Sequence, residues 1–181
     1  LLAMNNSGWR SLTEIISRGF IEGQQLSIPC VKKEWVLDQS NDIIALLGMQ
    51  SDVGEMLCSG NPQKAEPLLE EWIAKFGNRV YLALTRTDRP NEEAFIQEAV
   101  KLADKYQIGV VAHNDVHFID EKDFEAHEAR VCIADGYVLG DSRRPRTYSP
   151  EQYFKTSEQM VELFSDMPSA IENTVQIAKR C

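Results

Sequence analysis

Residues 110–118 read VVAHNDVHF. In an extended strand alternate side chains share a face, so His113, Asp115 and His117 would project together. Two imidazoles and a carboxylate on one face make a chemically sensible fragment of a Zn²⁺, Mn²⁺ or Fe site, because such ions take nitrogen and oxygen ligands. The spacing makes neighbouring ligands possible without completing a shell. On spacing alone the plainer reading is the stronger one: His113 or His117 is a hydrogen-bonded residue beside the mouth of a sheet, since short motif matches overcall.

Other candidate groups are weaker. His127 falls in a helical pattern with Glu125 and Glu128 nearby, which predicts a surface residue. Arg143, Arg144 and Arg146 around Pro145 could hold a phosphate or an acidic partner, but a solvated turn is the default for such a run. Cys58 and Cys132 sit within apolar patterns and read as small core residues rather than nucleophiles. No P-loop, G-x-S-x-G or G-x-G-x-x-G pattern occurs in the sequence, which removes the commonest self-declaring chemistries.

Something must position the 110–118 cluster, and the pattern upstream says what. The runs DIIALLG, RVYLALT and IGVVAHND are continuously apolar, as strands buried on both faces are. Helical patterns alternate with them. SLTEIISRGF places Leu12, Ile15, Ile16 and Phe20 on one face, and KEWVLDQ is a short helix. DVGEMLCSGN leads into PQKAEPLLEEWIAKFGN, with Leu68, Leu69, Trp72, Ile73 and Phe76 inward and Gly77 as the stop. NEEAFIQEAVKLADKYQ begins with Asn91 as a candidate cap and turns Phe95, Leu102, Ala103 and Tyr106 inward. Strands alternating with helices predict an α/β fold of βα units around a parallel sheet, either part of a barrel or part of an open doubly wound sheet. Both place function at the C-terminal ends of the strands, where the HNDVH cluster falls.

After residue 123 the character changes. DFEAHEARVCIADG reads as a helix and RRPR as a basic turn. SPEQYF reads as a short helix capped by Ser149 with Gln152 closing a capping box, and Thr156 with Gln159 repeats that logic in TSEQMVELF. MPSAIENTVQIAKRC is a final helix with Ile171, Val175 and Ala178 on one face.

The 181 residues carry a formal charge of −9, with 43% hydrophobic and 26% charged residues. That is ordinary globular composition, and the acidity argues against an extended basic groove for nucleic acid within this stretch. No run approaches the roughly 20 apolar residues needed to span a bilayer. Four scattered cysteines without a C-x-x-C pair or a secretory signal suit reduced thiols and a cytoplasmic setting. The opening LLAMNNSGW, without an initiator Met, predicts an interior segment of a longer chain.

The blocks NDVHF, DFEAHEARVCI, RRPR-x-YSPEQY and IENTVQIAKRC, in that order and spacing, resemble the end of the PHP (polymerase and histidinol phosphatase) domain of bacterial DNA polymerase III alpha subunits. LLAMNNSGWRSLTEIISRGFIEG and LTRTDRPNEEAF resemble earlier blocks of the same family, so the resemblance covers essentially the whole sequence. It implies the second half of a distorted barrel of seven βα strands over residues 1–148, followed at 149–181 by a helical connector toward the polymerase palm. It implies that the parent chain is a DNA-directed DNA polymerase with Mg²⁺ in its palm, and that no polymerase site lies in this stretch. The implied partners are the proofreading exonuclease (epsilon) subunit, the other polymerase III holoenzyme subunits, and DNA through other domains.

Asp115 and His117 match the last metal-binding motif of the family, which implies a possible Zn²⁺ or Mn²⁺ site. The sequence departs from metal-binding relatives at two places, with Met49 where they often carry Cys and Ala83 where Glu is usual. A thioether and a methyl are poor ligands for a hard divalent ion. The expectation is therefore a vestigial site in a structural and docking module. The alternative is an active metallohydrolase, a 3′–5′ exonuclease or phosphoesterase.

Overall fold

A computed structural model describes residues 1–26 and 28–181. In chain order it contains β1 (Leu2–Ala3), α1 (Asn6–Glu22), β2 (Gln24–Gln25), β3 (Ile28–Pro29), α2 (Lys33–Asp38), β4 (Ile43–Leu47), α3 (Asp52–Cys58) and α4 (Pro62–Phe76). These are followed by β5 (Val80–Thr85), α5 (Glu92–Tyr106), β6 (Gly109–His113), α6 (Phe124–Asp135), α7 (Ser157–Leu163) and α8 (Pro168–Arg180). The principal sheet has four strands in the order β1-β4-β5-β6. β4, β5 and β6 run parallel, as the three apolar runs predict, while β1 pairs antiparallel with β4.

The strands are apolar throughout because both faces of the sheet are covered. Ile43, Ala45, Leu47, Val80, Leu82 and Leu84 join the core formed with α3, α4 and α5. The intervening residues Ile44, Tyr81, Ala83 and Val111 pack with Ile177 of α8 on the opposite face. All six residues of β5 are buried, so it is the central rail of the fold.

Local signals explain most element boundaries. Asn5 caps α1, its side chain accepting from the Ser7 and Gly8 amides at 2.8 and 3.1 Å. Ser51 caps α3 by accepting from the Gly54 amide at 3.0 Å, and Pro62 starts α4 where its missing N–H costs nothing. Gly77 ends α4 at φ 57°, a left-handed conformation that other residues adopt at a cost.

The fold also corrects several expectations. The third strand stops at His113, and Asp115 stands at φ 49°, so alternation does not run through HNDVH. SPEQYF is a turn leading into extended chain, and Tyr153 makes a parallel bridge with Phe118. Long-range pairing to residues 117–119 competes there with the single helical turn. Asn91 is left-handed and offers no side-chain cap to α5. In α1 only Ile15 of the predicted stripe is fully buried, whereas Ile16 and Phe20 are 56% and 55% exposed. In α8 the buried positions are Ala170 and Ile177, Ile171 of the predicted stripe packs against the main core, and Val175 and Ala178 are exposed. Asn173 is the reason for that rotation, because its amide donates to the Val110 carbonyl at 2.8 Å and turns the polar edge of the helix toward β6.

Candidate functional site at the strand ends

The loops that follow β5 and β6 meet the chain segment 149–154. The loop after β5 holds two left-handed residues, Asp88 and Asn91, which fold it back on itself so that Thr87 and Glu92 touch. Glu92 is buried, and its carboxylate accepts from the Thr87 amide and hydroxyl, both at 2.6 Å, and from the Arg89 amide at 3.3 Å. The Arg89 Nε donates to the Thr87 hydroxyl at 3.0 Å, which aims the guanidinium across the strand ends.

There it meets Asp115. Arg89 Nη2 lies 2.7 Å from Asp115 Oδ2, and the same oxygen accepts from Gln152 Nε2 at 3.0 Å. His117 Nε2 is 3.5 Å from Asp115 Oδ1. Asp115 and His117 are therefore neighbours, brought together by the left-handed turn at Asp115 rather than by strand alternation. His113 closes β6 close by, its imidazole held below the ordinary 6.5 by partial burial, with Asp115 opposing and Arg89 reinforcing.

Gln152 is fully buried and ties the segment together. Its side-chain oxygen accepts from the Ser149 amide at 3.0 Å, as a capping box would have it, and its backbone oxygen accepts from the His117 amide at 2.9 Å. Ser149 donates its hydroxyl to the Thr87 carbonyl. Asn114 adds a bond from its amide to the Tyr153 carbonyl at 3.0 Å.

His127 corrects its sequence reading. It is 6% exposed, packed edge-on against Tyr148 at 4.6 Å and tilted against His117 at 5.6 Å and Phe118 at 5.4 Å. Nδ1 lies 3.3 Å from Arg130, while Nε2 has no hydrogen-bond partner among the described residues. Burial, with Arg130 and then His117 beside it and Glu128 opposing, pushes its imidazole below the ordinary 6.5. An unfolded chain then binds a proton that the folded chain refuses, so this residue removes stability as pH falls through 6.5. His127→Phe is expected to leave stability at pH 8 unchanged or raise it by up to about 1 kcal/mol, and to shrink the loss between about pH 6.5 and 5. Urea midpoints at the two ends of that range check it, and an undiminished acid loss in the variant contradicts it.

The basic cluster comes apart in space. Arg144 forms a largely buried ion pair with Glu128 of α6, Arg143 turns back to Asp141 at 2.8 Å, and Arg146 is exposed. Cys132 is buried in the core and Cys58 half-buried. Ala83 is on the sheet face covered by α8, and the Met49 sulfur lies 4.0 Å from the Thr85 hydroxyl at the mouth.

Among the described residues no group of three or more His, Cys, Asp or Glu side chains is arranged to hold a metal ion. The donor set around Asp115 also has the wrong charge for one, since a guanidinium already sits on its carboxylate. The residues present do not fit a divalent ion. Arg89, Glu92 and Gln152 organise this site, and sequence reasoning passed over all three in that role. Gln152 gave a signal only as the partner of Ser149 in a capping box, and Glu92 only by its place in the first turn after Asn91.

Residues 1–87 match the family described as PHP domain. Across 182 aligned positions, the whole of this chain is 51% identical to DNA polymerase III subunit alpha of Pseudomonas fluorescens and 50% identical to that of Pseudomonas aeruginosa. The similarity to DNA polymerase III subunit alpha extends over the whole length of this chain. The corresponding protein of Escherichia coli (strain K12) is 44% identical over the same span. The chain spans 16% of the length of each of these three relatives. The match reaches well beyond the PHP-domain assignment at residue 87, so the Asp115 region and α8 belong to the shared sequence as much as β4 and β5 do.

Proposed function

We propose that these residues form a structural and docking module of a bacterial replicative polymerase, DNA polymerase III alpha, whose template-directed synthesis is performed elsewhere in the longer chain. The observation that carries this reading is the 51% identity along the entire chain to a protein of that name. On this reading the parallel sheet and its helices are the second half of a distorted barrel of seven βα strands. Residues 1–148 belong to the PHP domain and 149–181 lead toward the palm, where Mg²⁺ serves nucleotidyl transfer. The partners are the proofreading exonuclease (epsilon) subunit and the other holoenzyme subunits, with DNA held through other domains, in the cytoplasm. No helix among the described residues is long and apolar enough to cross a membrane.

Asp115 and His117 stand, on this proposal, at vestigial positions of the PHP metal motif. The guanidinium of Arg89 on Asp115 speaks against the metallohydrolase alternative. Asp115→Ala in the full-length polymerase is the test, with primer extension measured beside thermal unfolding. It would leave Arg89 and Gln152 without their acceptor, and a stability loss of about 1–3 kcal/mol is expected with extension by the folded enzyme little changed. Severe loss of extension at unchanged stability would overturn the reading. For docking, the complete PHP domain is expected to retain the exonuclease subunit in a pull-down at micromolar concentration.

A further inference from the structure

We propose that Arg89 is a built-in cation that takes the place of a divalent ion at the strand ends, and that through Asp115 it latches the 149–154 segment across them. This rests on the PHP reading only for the statement that an ion would otherwise be expected there. The latch itself rests on geometry.

A metal ion at the mouth of a parallel sheet does two things for its ligands: it neutralises clustered carboxylates and it ties together loops from different strands. Arg89 does both here. Its Nη2 meets Asp115 at 2.7 Å, its Nε meets Thr87 at 3.0 Å and comes within 3.5 Å of Glu92, and its backbone amide also bonds Glu92. One guanidinium thus joins the loop after β5 to the loop after β6 and balances two carboxylates. Arginine suits this role because its planar fork reaches several acceptors in fixed directions and stays charged at all accessible pH values. Pro90 and the left-handed Asp88 and Asn91 hold the loop that carries it, so little freedom remains to be lost.

The consequence reaches along the chain. With one oxygen held by Arg89, Asp115 orients the Gln152 amide, and Gln152 in turn receives the His117 amide and fixes Ser149 beside Thr87. Phe154 then donates its amide to Phe118 and Ile119. Segment 149–154 is therefore held at the strand ends by a cation on the β5 loop. An added divalent ion would have to displace a positive charge already in contact with the carboxylate it needs.

Hydrogen–deuterium exchange on the full-length polymerase subunit tests this, read in peptides spanning 116–119 and 151–155 and compared with 43–47 as an internal control. Arg89→Met is expected to speed exchange in the first two by about tenfold or more while leaving the control unchanged. Asp115→Asn should act in the same direction. The double variant Arg89→Met with Asp115→Asn should exchange no faster than either single variant, because both substitutions break the same Arg89–Asp115 contact and neither end of that contact is left charged. MnCl₂ should leave wild-type exchange unchanged. If Arg89→Met fails to fold, a folded double variant supports the proposal and an unfolded one overturns it. Wild-type exchange rates in Arg89→Met would overturn it, as would Mn²⁺ protection of the wild type that Asp115→Asn abolishes. Exchange reads the latch in any chain carrying this segment, so its failure leaves the docking reading standing. Loss of exonuclease capture with normal exchange would sink only the docking reading.

Discussion

Replacing Glu92 by alanine is expected to destabilise the chain by about 3–5 kcal/mol, the range typical of removing one partner from a buried, hydrogen-bonded charge pair. The carboxylate is 4% exposed and satisfies the amide and hydroxyl of Thr87, itself fully buried, together with the Arg89 amide. Alanine would strand those donors away from water and deprive Arg89 of one of its two carboxylates. It would also remove a negative charge from the first turn of a 15-residue helix, where it offsets the helix dipole. Glu92→Gln keeps the shape but replaces one acceptor oxygen with an amide NH₂ that faces donors, so an intermediate loss is expected. Denaturant midpoints at unchanged m-value measure both, and a loss below about 1 kcal/mol for alanine would show that the network is not a structural element.

Phe164→Ala carries the second large effect, again about 3–5 kcal/mol, from lost burial plus the cavity left behind. The ring is fully buried at the end of α7 and belongs to the main core. Its other face is held by Arg86, whose guanidinium lies 5.2 Å over it. Arg86 also donates to the Leu163 carbonyl at 2.7 Å, to Asp166 at 2.7 and 2.8 Å, and to Glu93 at 2.8 Å. The aromatic contact and the fourfold clamp together dock the α7–α8 turn on the loop after β5, so losing the ring loosens α8 as well. Val161→Ala on the exposed side of the same helix should stay within about 0.5 kcal/mol. Equal losses in the two variants would mean that α7 does not dock through Phe164.

The two effects share a cause. The loop after β5 carries Arg86, Thr87, Arg89 and, at its end, Glu92. It fastens the C-terminal third of the chain at three points: Asp166 through Arg86, Ser149 through Thr87, and Gln152 through Arg89 and Asp115. Open clefts remain on both sides of this fastening. One of about 740 Å³ is lined by Arg86, Asp88 and Glu151, and one of about 480 Å³ by Met49, Cys58 and Pro90. Polar side chains that could have faced a ligand instead hold one segment of the chain against another.

The features readable from the residues alone are those that depend on near neighbours. The apolar runs at 43–47 and 80–85 are strands and the stripe through Leu69, Trp72 and Phe76 is a buried helix face, because period and burial are written within ten or so residues. Thr156 and Gln159 form the capping box that their spacing predicts, for the same reason. The candidate site was legible only as a pair of residue types, Asp115 and His117, and their closeness came from a left-handed turn that no alternation rule describes. Their partners were not legible at all. Arg89 is 26 positions from Asp115 and Gln152 is 37, and Tyr148, which buries His127, comes from beyond the end of α6. Such contacts form only after the sheet has brought distant loops to one end, and their energy comes from charges and amides that must find each other once water is excluded. Tertiary structure alone decided that Asp115 is held by an arginine of its own chain.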